Sequence, residues 1–294
     1  MLKNNIIAEL KEKIRQNPND IENYKNLANY YIGYEEVNNA MAVYKQILEI
    51  KKDDFQSLVN LGSIYFHKKE FIEAISCFNK AIDVNDSEYT PYYNLGNIYA
   101  EIDNFDAALK NYKKALELSQ NNPDIYNSLG YLYRDIKQFD TAEAYFKKAI
   151  ELSSDNPEYY ANHANSLELL GKFNEAVESY KKACTIEENN PKYLLCLANA
   201  YTNLKDYKSA LEYFEKTLKI SPDYYSAWIC ASIAYYDNGD TEHAMQYLKH
   251  GIEISPDNIS GYILLANILI EQKRYDEAMI LYKTASKLTE NNAK

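Results

Sequence analysis

Glycine and proline are scarce, at 8 and 7 of 294 residues, so the chain lacks the material for a turn-rich all-β fold. Cysteine occurs only at Cys77, Cys184, Cys196 and Cys230. With no CxxC pair and wide spacing there is neither a disulfide framework nor a zinc signature, and buried, reduced thiols are expected. No apolar run approaches the length of a membrane span. The N-terminal stretch MLKNNIIAELKEKIRQ carries charges every few residues and no apolar signal core, so a cytoplasmic protein is the expectation. Positive charge is in deficit, with 32 Lys and Arg against 43 Asp and Glu, a net charge of −11 and a pI near 5.0. Phosphate recognition depends on Lys and Arg clusters, so nucleic acid is not the expected partner. Motifs of chemistry are missing too: there is no GxSxG, HExxH, Walker or GxGxxG pattern. His67, His163, His243 and His250 form no ligand pair, and His163 stands in a slot otherwise suited to leucine, as a packed core histidine would. No catalytic residue, metal site or cofactor is expected, and the chain does not read as an enzyme.

What is abundant is tyrosine, with 30 residues, and a phrase that recurs. YYNLGNIY at 92–99 is echoed by IYNSLGYLY at 125–133 and FQSLVNLGSIYF at 55–66. Aligning these phrases gives eight starts 34 residues apart without insertion: Ile21, Phe55, Tyr89, Pro123, Pro157, Pro191, Tyr225 and Ile259. A fixed period defines the architecture before any local reading does. Slot 20 is always alanine (Ala40, Ala74, Ala108, Ala142, Ala176, Ala210, Ala244, Ala278) and slot 8 is always small (among them Ala28, Gly62, Gly96 and Ala266). Slots 4, 7, 8 and 11 share one face of a helix, and slots 20, 24, 27 and 28 one face of a second. Close packing of two helices requires small residues where they meet, and the Tyr or Phe at slots 11 and 24 fills the volume beside that contact. Asn122-Pro123, Asn156-Pro157 and Asn190-Pro191 place an N-cap ahead of a first-turn proline.

The pattern resembles the tetratricopeptide repeat family, W-x2-L-G-x2-Y…A-x3-F…A-x4-P, slot by slot. The tryptophan slot holds Tyr24, Tyr92, Tyr126, Tyr160, Trp228 and Tyr262. The resemblance implies an all-α, right-handed superhelical solenoid of helical hairpins. Its parts are a capping half-repeat helix at 1–20, with Ile6, Leu10 and Ile14 on one stripe, eight repeats over 21–292, and a tail at 293–294. The repeats are 21–54, 55–88, 89–122, 123–156, 157–190, 191–224, 225–258 and 259–292.

The resemblance also implies that the first helix of each repeat lines a concave groove through slots 2, 5, 6, 9, 12 and 13. Slot 6 carries Asn26, Asn60, Asn94 and Asn162, and slot 9 carries Asn29, Asn97, Asn165, Asn199 and Asn267. A primary amide offers a donor and an acceptor together, so rows of Asn can hold the backbone of an extended peptide. Such ladders look like those in O-linked N-acetylglucosamine transferases. The alternative is that these amides serve helix-to-helix hydrogen bonds. Tyr93, Tyr131, Arg134 and Asp135 complete the candidate groove, whose charge is mainly negative and suits a peptide with Lys or Arg side chains. Cys196 and Cys230, at slot 6 of adjacent repeats, read as apolar groove residues. The two-carboxylate clamp of chaperone-binding members is matched by Lys25, Asn29 and Asn60, but Thr90 and Asn94 stand where it needs cations, which argues against that ligand.

Met279, Ile280 and Leu281 put apolar residues on the last helix, where a polar outer face is usual, and suggest a docking end for another copy or another protein. The function expected is a non-catalytic scaffold that binds a protein or peptide in its groove. The alternatives are a self-assembling structural protein and the substrate-selecting arm of a larger enzyme such as a glycosyltransferase.

Overall fold

The computed structural model describes residues 2–292, and the side chains of 5–290. All secondary structure among the described residues is helical. A leading helix, α1 (Leu2–Gln16), is followed by eight thirteen-residue helices that start every 34 residues. These are α2 (Ile21–Gly33), α4 (Phe55–His67), α6 (Tyr89–Glu101), α8 (Pro123–Asp135), α10 (Pro157–Leu169), α12 (Pro191–Asn203), α14 (Tyr225–Asp237) and α16 (Ile259–Glu271). Alternating with them are α3 (Val37–Ile50), α5 (Phe71–Val84), α7 (Phe105–Leu118), α9 (Phe139–Leu152), α11 (Phe173–Ile186), α13 (Tyr207–Ile220), α15 (Thr241–Ile254) and α17 (Tyr275–Asn292). The tail at 293–294 lies outside the described residues.

The chain divides into two compact units, Met1–Lys137 and Gln138–Lys294. In each, successive helices joined by short turns pack on one another as an α-solenoid of helical hairpins. In the first unit Tyr24, Leu27, Ala28, Tyr44 and Ile47 form one core, against which Ile7, Leu10 and Ile14 of α1 pack. The stripe on α1 is therefore rotated from the expected one: Ile7, not Ile6, faces the core, and Ile6 is exposed. A second core is built on Leu58, Phe78, Leu95 and Ile98. The second unit has three comparable clusters, centred on Tyr180 and Leu197, on Phe214 and Ala231, and on Leu248 and Leu265.

The invariant slots behave as packing requires. All eight slot-20 alanines are buried. A Cβ added at Gly96 would lie 2.5 Å from the Tyr112 ring, and one at Gly62 2.9 Å from Phe78, so the slot-24 ring rests directly on the slot-8 backbone. The aromatic at slot 4 has a polar task beside its packing. Tyr24 and Tyr262 donate through their hydroxyls, and Trp228 through Nε1, to the carbonyls of Pro18, Pro256 and Pro222, at 3.1, 3.0 and 2.8 Å. Each tie fixes the entry of a first helix to the turn before it.

Helix starts follow the capping logic. The Asn122, Asn156 and Asn190 side chains accept from the N–H groups of Asp124, Glu158 and Lys192, each with proline at the first helical positions. Between the two helices of each hairpin one residue lies in the left-handed region, again every 34 residues. Gly171 and Gly239 occupy two of these positions, and Glu35, Lys69, Asp103, Lys137, Lys205 and Lys273 the other six. A side chain there is strained relative to glycine.

Candidate functional site

Slots 6, 9, 12 and 13 converge on a recess that recurs between successive first helices, with the slot-24 side chain as its floor. In the first unit one such recess, of about 440 Å³, is lined by Asn29, Ile32, Tyr44, Asn60, Ser63 and His67. A second, of about 410 Å³, is lined by Phe66, Asn97, Glu101, Tyr112, Tyr131 and Asp135. In the second unit an equivalent recess of about 300 Å³ lies among Ile233, Tyr236, Leu248, Leu264, Asn267 and Glu271. Volumes in this range are those of ordinary ligand clefts. The three differ in chemistry: the first is neutral, the second carries two carboxylates at its lip, and the third is mostly apolar.

The asparagines are tied to the floor tyrosines. The Tyr44 hydroxyl donates to Asn29 Oδ1 at 3.3 Å and accepts from Asn60 Nδ2 at 2.9 Å. Tyr112 donates to Asn97 Oδ1 at 2.7 Å, and Tyr282 donates to Asn267. The Tyr180 hydroxyl donates to Glu168 Oε2 at 3.0 Å, with the Asn165 amide as a donor toward the phenol oxygen. Burial pushes the Tyr44, Tyr112 and Tyr180 hydroxyls up from the usual phenol value, so they stay protonated donors. Wherever slot 24 is tyrosine, slot 9 of the same repeat is asparagine, in repeats one, three, five and eight. The carboxamide oxygens of Asn29, Asn97 and Asn267 are thus spent inside the fold, which is the helix-to-helix use of the amide. In Asn97 the Nδ2 donor keeps no partner among the described residues and lines the recess.

The remaining candidates are placed unevenly. Asn26 is exposed on α2, and Asn94 donates to the Thr90 carbonyl of its own helix at 3.0 Å. Asn162 is buried, at 8% exposure, and cannot be reached without movement of its neighbours. Asn199 is engaged with the Cys230 thiol. Tyr93 shares a hydrogen bond of 3.2 Å with Ser128 Oγ, beside Tyr112. The Arg134 guanidinium lies 4.7 Å from the Tyr131 ring centre and 3.1 Å from Asp135. Lys25, which matched a clamp slot, pairs instead with the buried Asp54 at 2.9 Å. At the other end of the chain Met279 and Ile280 are exposed, and Leu281 is half-buried beside Leu265 and Leu269.

Glu168 is held by Tyr180 and by Asn203 Nδ2 at 2.9 Å, and burial raises its carboxyl above the usual range. Burial likewise pushes the Cys184 and Cys196 thiols up to about 11, so at neutral pH they are poor nucleophiles, and all four cysteines are unpaired. No group of acidic, histidine and cysteine side chains among the described residues could hold a metal ion. No described helix is long and apolar enough to cross a membrane.

The residues that sequence reasoning missed are the floors, Tyr44 and Tyr112, which the periodicity assigned to the core, and the pair Ser63 and His67. The matched Asn and Tyr of slots 9 and 24 were the signal that could have found the floors.

Known families and structures agree with this geometry. Profiles described as TPR repeat match residues 96–135 and 164–205. Profiles described as tetratricopeptide repeat match 55–88, 123–156, 191–224 and 235–294, so that the matches together cover most of the chain. A comparison with curated proteins finds no significant match. Among solved structures, MamA is 25% identical with a TM-score of 0.53, covering 57% of this chain and 92% of its own. YrrB, described as a TPR protein with an unusual peptide-binding site, is 24% identical with a TM-score of 0.54, covering 67% of this chain and 97% of its own. The APC/C hetero-tetramer Cut9-Hcn1 is 17% identical with a TM-score of 0.65, covering 91% of this chain and 53% of its own. Slot by slot and helix by helix, the chain belongs to the tetratricopeptide repeat family.

Proposed function

We propose that this protein is a non-catalytic scaffold whose first helices hold an extended peptide or partner segment, with partner side chains seated in the recurrent recesses. The observation that carries the reading is the recurrence itself: cavities of about 440, 410 and 300 Å³ fall at the same slots, on the face that core packing does not use. Their amide, hydroxyl and carboxylate rims match a peptide's polar groups, and the peptide-binding site named for YrrB offers a precedent within the fold. We read residues 21–292 as eight repeats and α1 as the cap of the first. The four unpaired thiols fit a reducing, cytoplasmic setting.

A peptide-display selection on the immobilised full chain tests this. Selected peptides should bind about tenfold or more weakly to Ser63→Arg or Ala100→Arg, which place a long side chain in a recess, a loss of about 1.4 kcal/mol. Ile72→Arg, at a position 82% exposed on α5 and outside every recess, should bind them normally. Peptides indifferent to both recess variants would refute the groove.

A second reading is favoured by α17, on which Tyr275, Met279 and Ile280 are 59, 53 and 64% exposed. On α15 the slot equivalent to Met279 is Met245, which is buried. In this reading a second copy covers the face. Sedimentation velocity over a concentration series should then show a dimer that Met279→Glu with Ile280→Glu abolishes, whereas a concentration-independent monomer would rule it out.

A further inference from the structure

The recesses are not equivalent, and the one between α4, α6 and α8 is chemically the most specific. We propose that it is the subsite for an arginine side chain of the bound partner, an assignment that rests on the groove reading and gives it a specificity. Its walls are the rings of Phe66 and Tyr131, its floor is Tyr112, and its lip carries Glu101 and Asp135. Both carboxylates come from slot 13 of adjacent repeats, so they flank the recess from successive helices. No lysine or arginine lines it. The recess below it in the first unit has the same slots and a similar volume but no carboxylate.

This corner already carries a cation of the chain's own. Arg134 lays its guanidinium 4.7 Å from the Tyr131 ring centre and 3.1 Å from Asp135, so the ring and the acid already work together on a planar cation. Guanidinium suits such a place better than ammonium, because it stacks on aromatic faces and bonds carboxylates through a flat fork. Glu101 is met by Lys69 at 3.1 Å, in a pair whose side chains are 44 and 75% exposed. An ion pair that open contributes little and exchanges readily for a partner's cation. The net charge of −11 draws a basic segment to the chain in the first place. Asn97, with its Nδ2 donor still available, can bond a carbonyl of the peptide that carries the arginine.

The test uses peptides selected on the full native chain and their binding by fluorescence anisotropy to the native chain, to Glu101→Gln with Asp135→Asn, and to Ala100→Arg. Both acids are about half exposed, so the amide replacements keep the fold, which circular dichroism verifies. The selected peptides should share an arginine. Replacing it with norleucine, or neutralising the two acids, should weaken binding about tenfold or more, as losing charge-assisted contacts does. Replacing it with lysine should weaken binding to a smaller degree. Peptides that lack a common arginine, or that bind the neutralised variant as well as the native chain while Ala100→Arg blocks them, would overturn the arginine subsite and leave the groove standing. Peptides unaffected by Ala100→Arg would overturn the arginine subsite, and peptides unaffected by Ser63→Arg as well would overturn both.

Discussion

Of the five glycines within first helices, Gly33, Gly62 and Gly96 should each change stability by a different amount on the same substitution. Gly33 closes α2 with open space around it, so Gly33→Ala gains helix propensity and should stabilise the chain by a few tenths to about 1 kcal/mol. At Gly62 the new Cβ would lie 2.9 Å from the far edge of the Phe78 ring, where a shift of a few tenths of an ångström relieves the contact. Propensity and crowding then nearly cancel, and the variant should stay within about 1 kcal/mol of the native chain. At Gly96 the Cβ would meet Tyr112 at 2.5 Å, nearer the root of the ring, against an ordinary contact of 3.4–4 Å. Tyr112 cannot swing aside: it is buried, it packs beside Tyr93, and its hydroxyl is bonded to Asn97. Overpacking of about 1–3 kcal/mol then exceeds the gain of about 1 kcal/mol, for a net loss near 1–2 kcal/mol. Urea unfolding followed by circular dichroism would rank the midpoints Gly33→Ala, native, Gly96→Ala, with Gly62→Ala close to native. A Gly96→Ala midpoint at or above that of Gly33→Ala would mean that the slot-24 ring does not rest on the slot-8 backbone.

Other perturbations follow from the same contacts. Lys205, exposed and held at φ 60, should gain about 0.5–1 kcal/mol on change to glycine, whereas Gly239→Ala at φ 86 should lose about 1 kcal/mol; thermal midpoints read both. Asp54 is buried, and although burial raises its carboxyl, its bonds to Lys25 and Ser57 outweigh this and hold it below the usual range. A lowered folded value contributes stability above the unfolded pKa, about 3.9, that is lost as pH falls through the folded one. Lys25→Met should therefore cost about 1–3 kcal/mol at neutral pH and move acid unfolding to higher pH, as a pH titration of the circular dichroism signal would show. Iodoacetamide should label Cys184 and Cys196 slowly at pH 8, with rates rising up to about pH 11; fast labelling at pH 8 would contradict their burial.

Most of the helical framework was legible because a hairpin solenoid repeats its constraints. Alanine at slot 20 and small residues at slot 8, copied eight times, and large rings at slot 24, copied seven times with Leu248 as the exception, each report one contact. What a period cannot show is where a side chain serves two masters. Slot 24 read as core, and Tyr44 and Tyr112 are core, yet they also floor the recesses and bind the groove asparagines. The hydroxyl is the clue, because phenylalanine at the same slot leaves nothing to satisfy. Ile6 and Ile7 were interchangeable on a short amphipathic helix, and only packing decided between them. His163 was legible as a packed residue in a leucine slot, but not its partners. It lies between Ser179 Oγ at 2.8 Å and Glu143 Oε1 at 2.9 Å, which come from the flanking helices α11 and α9. The left-handed turn residues escaped notice because lysine, glutamate and aspartate fill six of the eight places where glycine would have marked them.

Hydroxyl-radical footprinting of the full chain, with and without a selected peptide, asks the central question most simply. If partners lie along the first helices, the peptide should shield Phe66 and Tyr131 while oxidation at Ile72 and Ile102, both exposed away from the recesses, stays unchanged. Shielding of Ile72 or Ile102 with Phe66 and Tyr131 still open would place the partner on another face and contradict it.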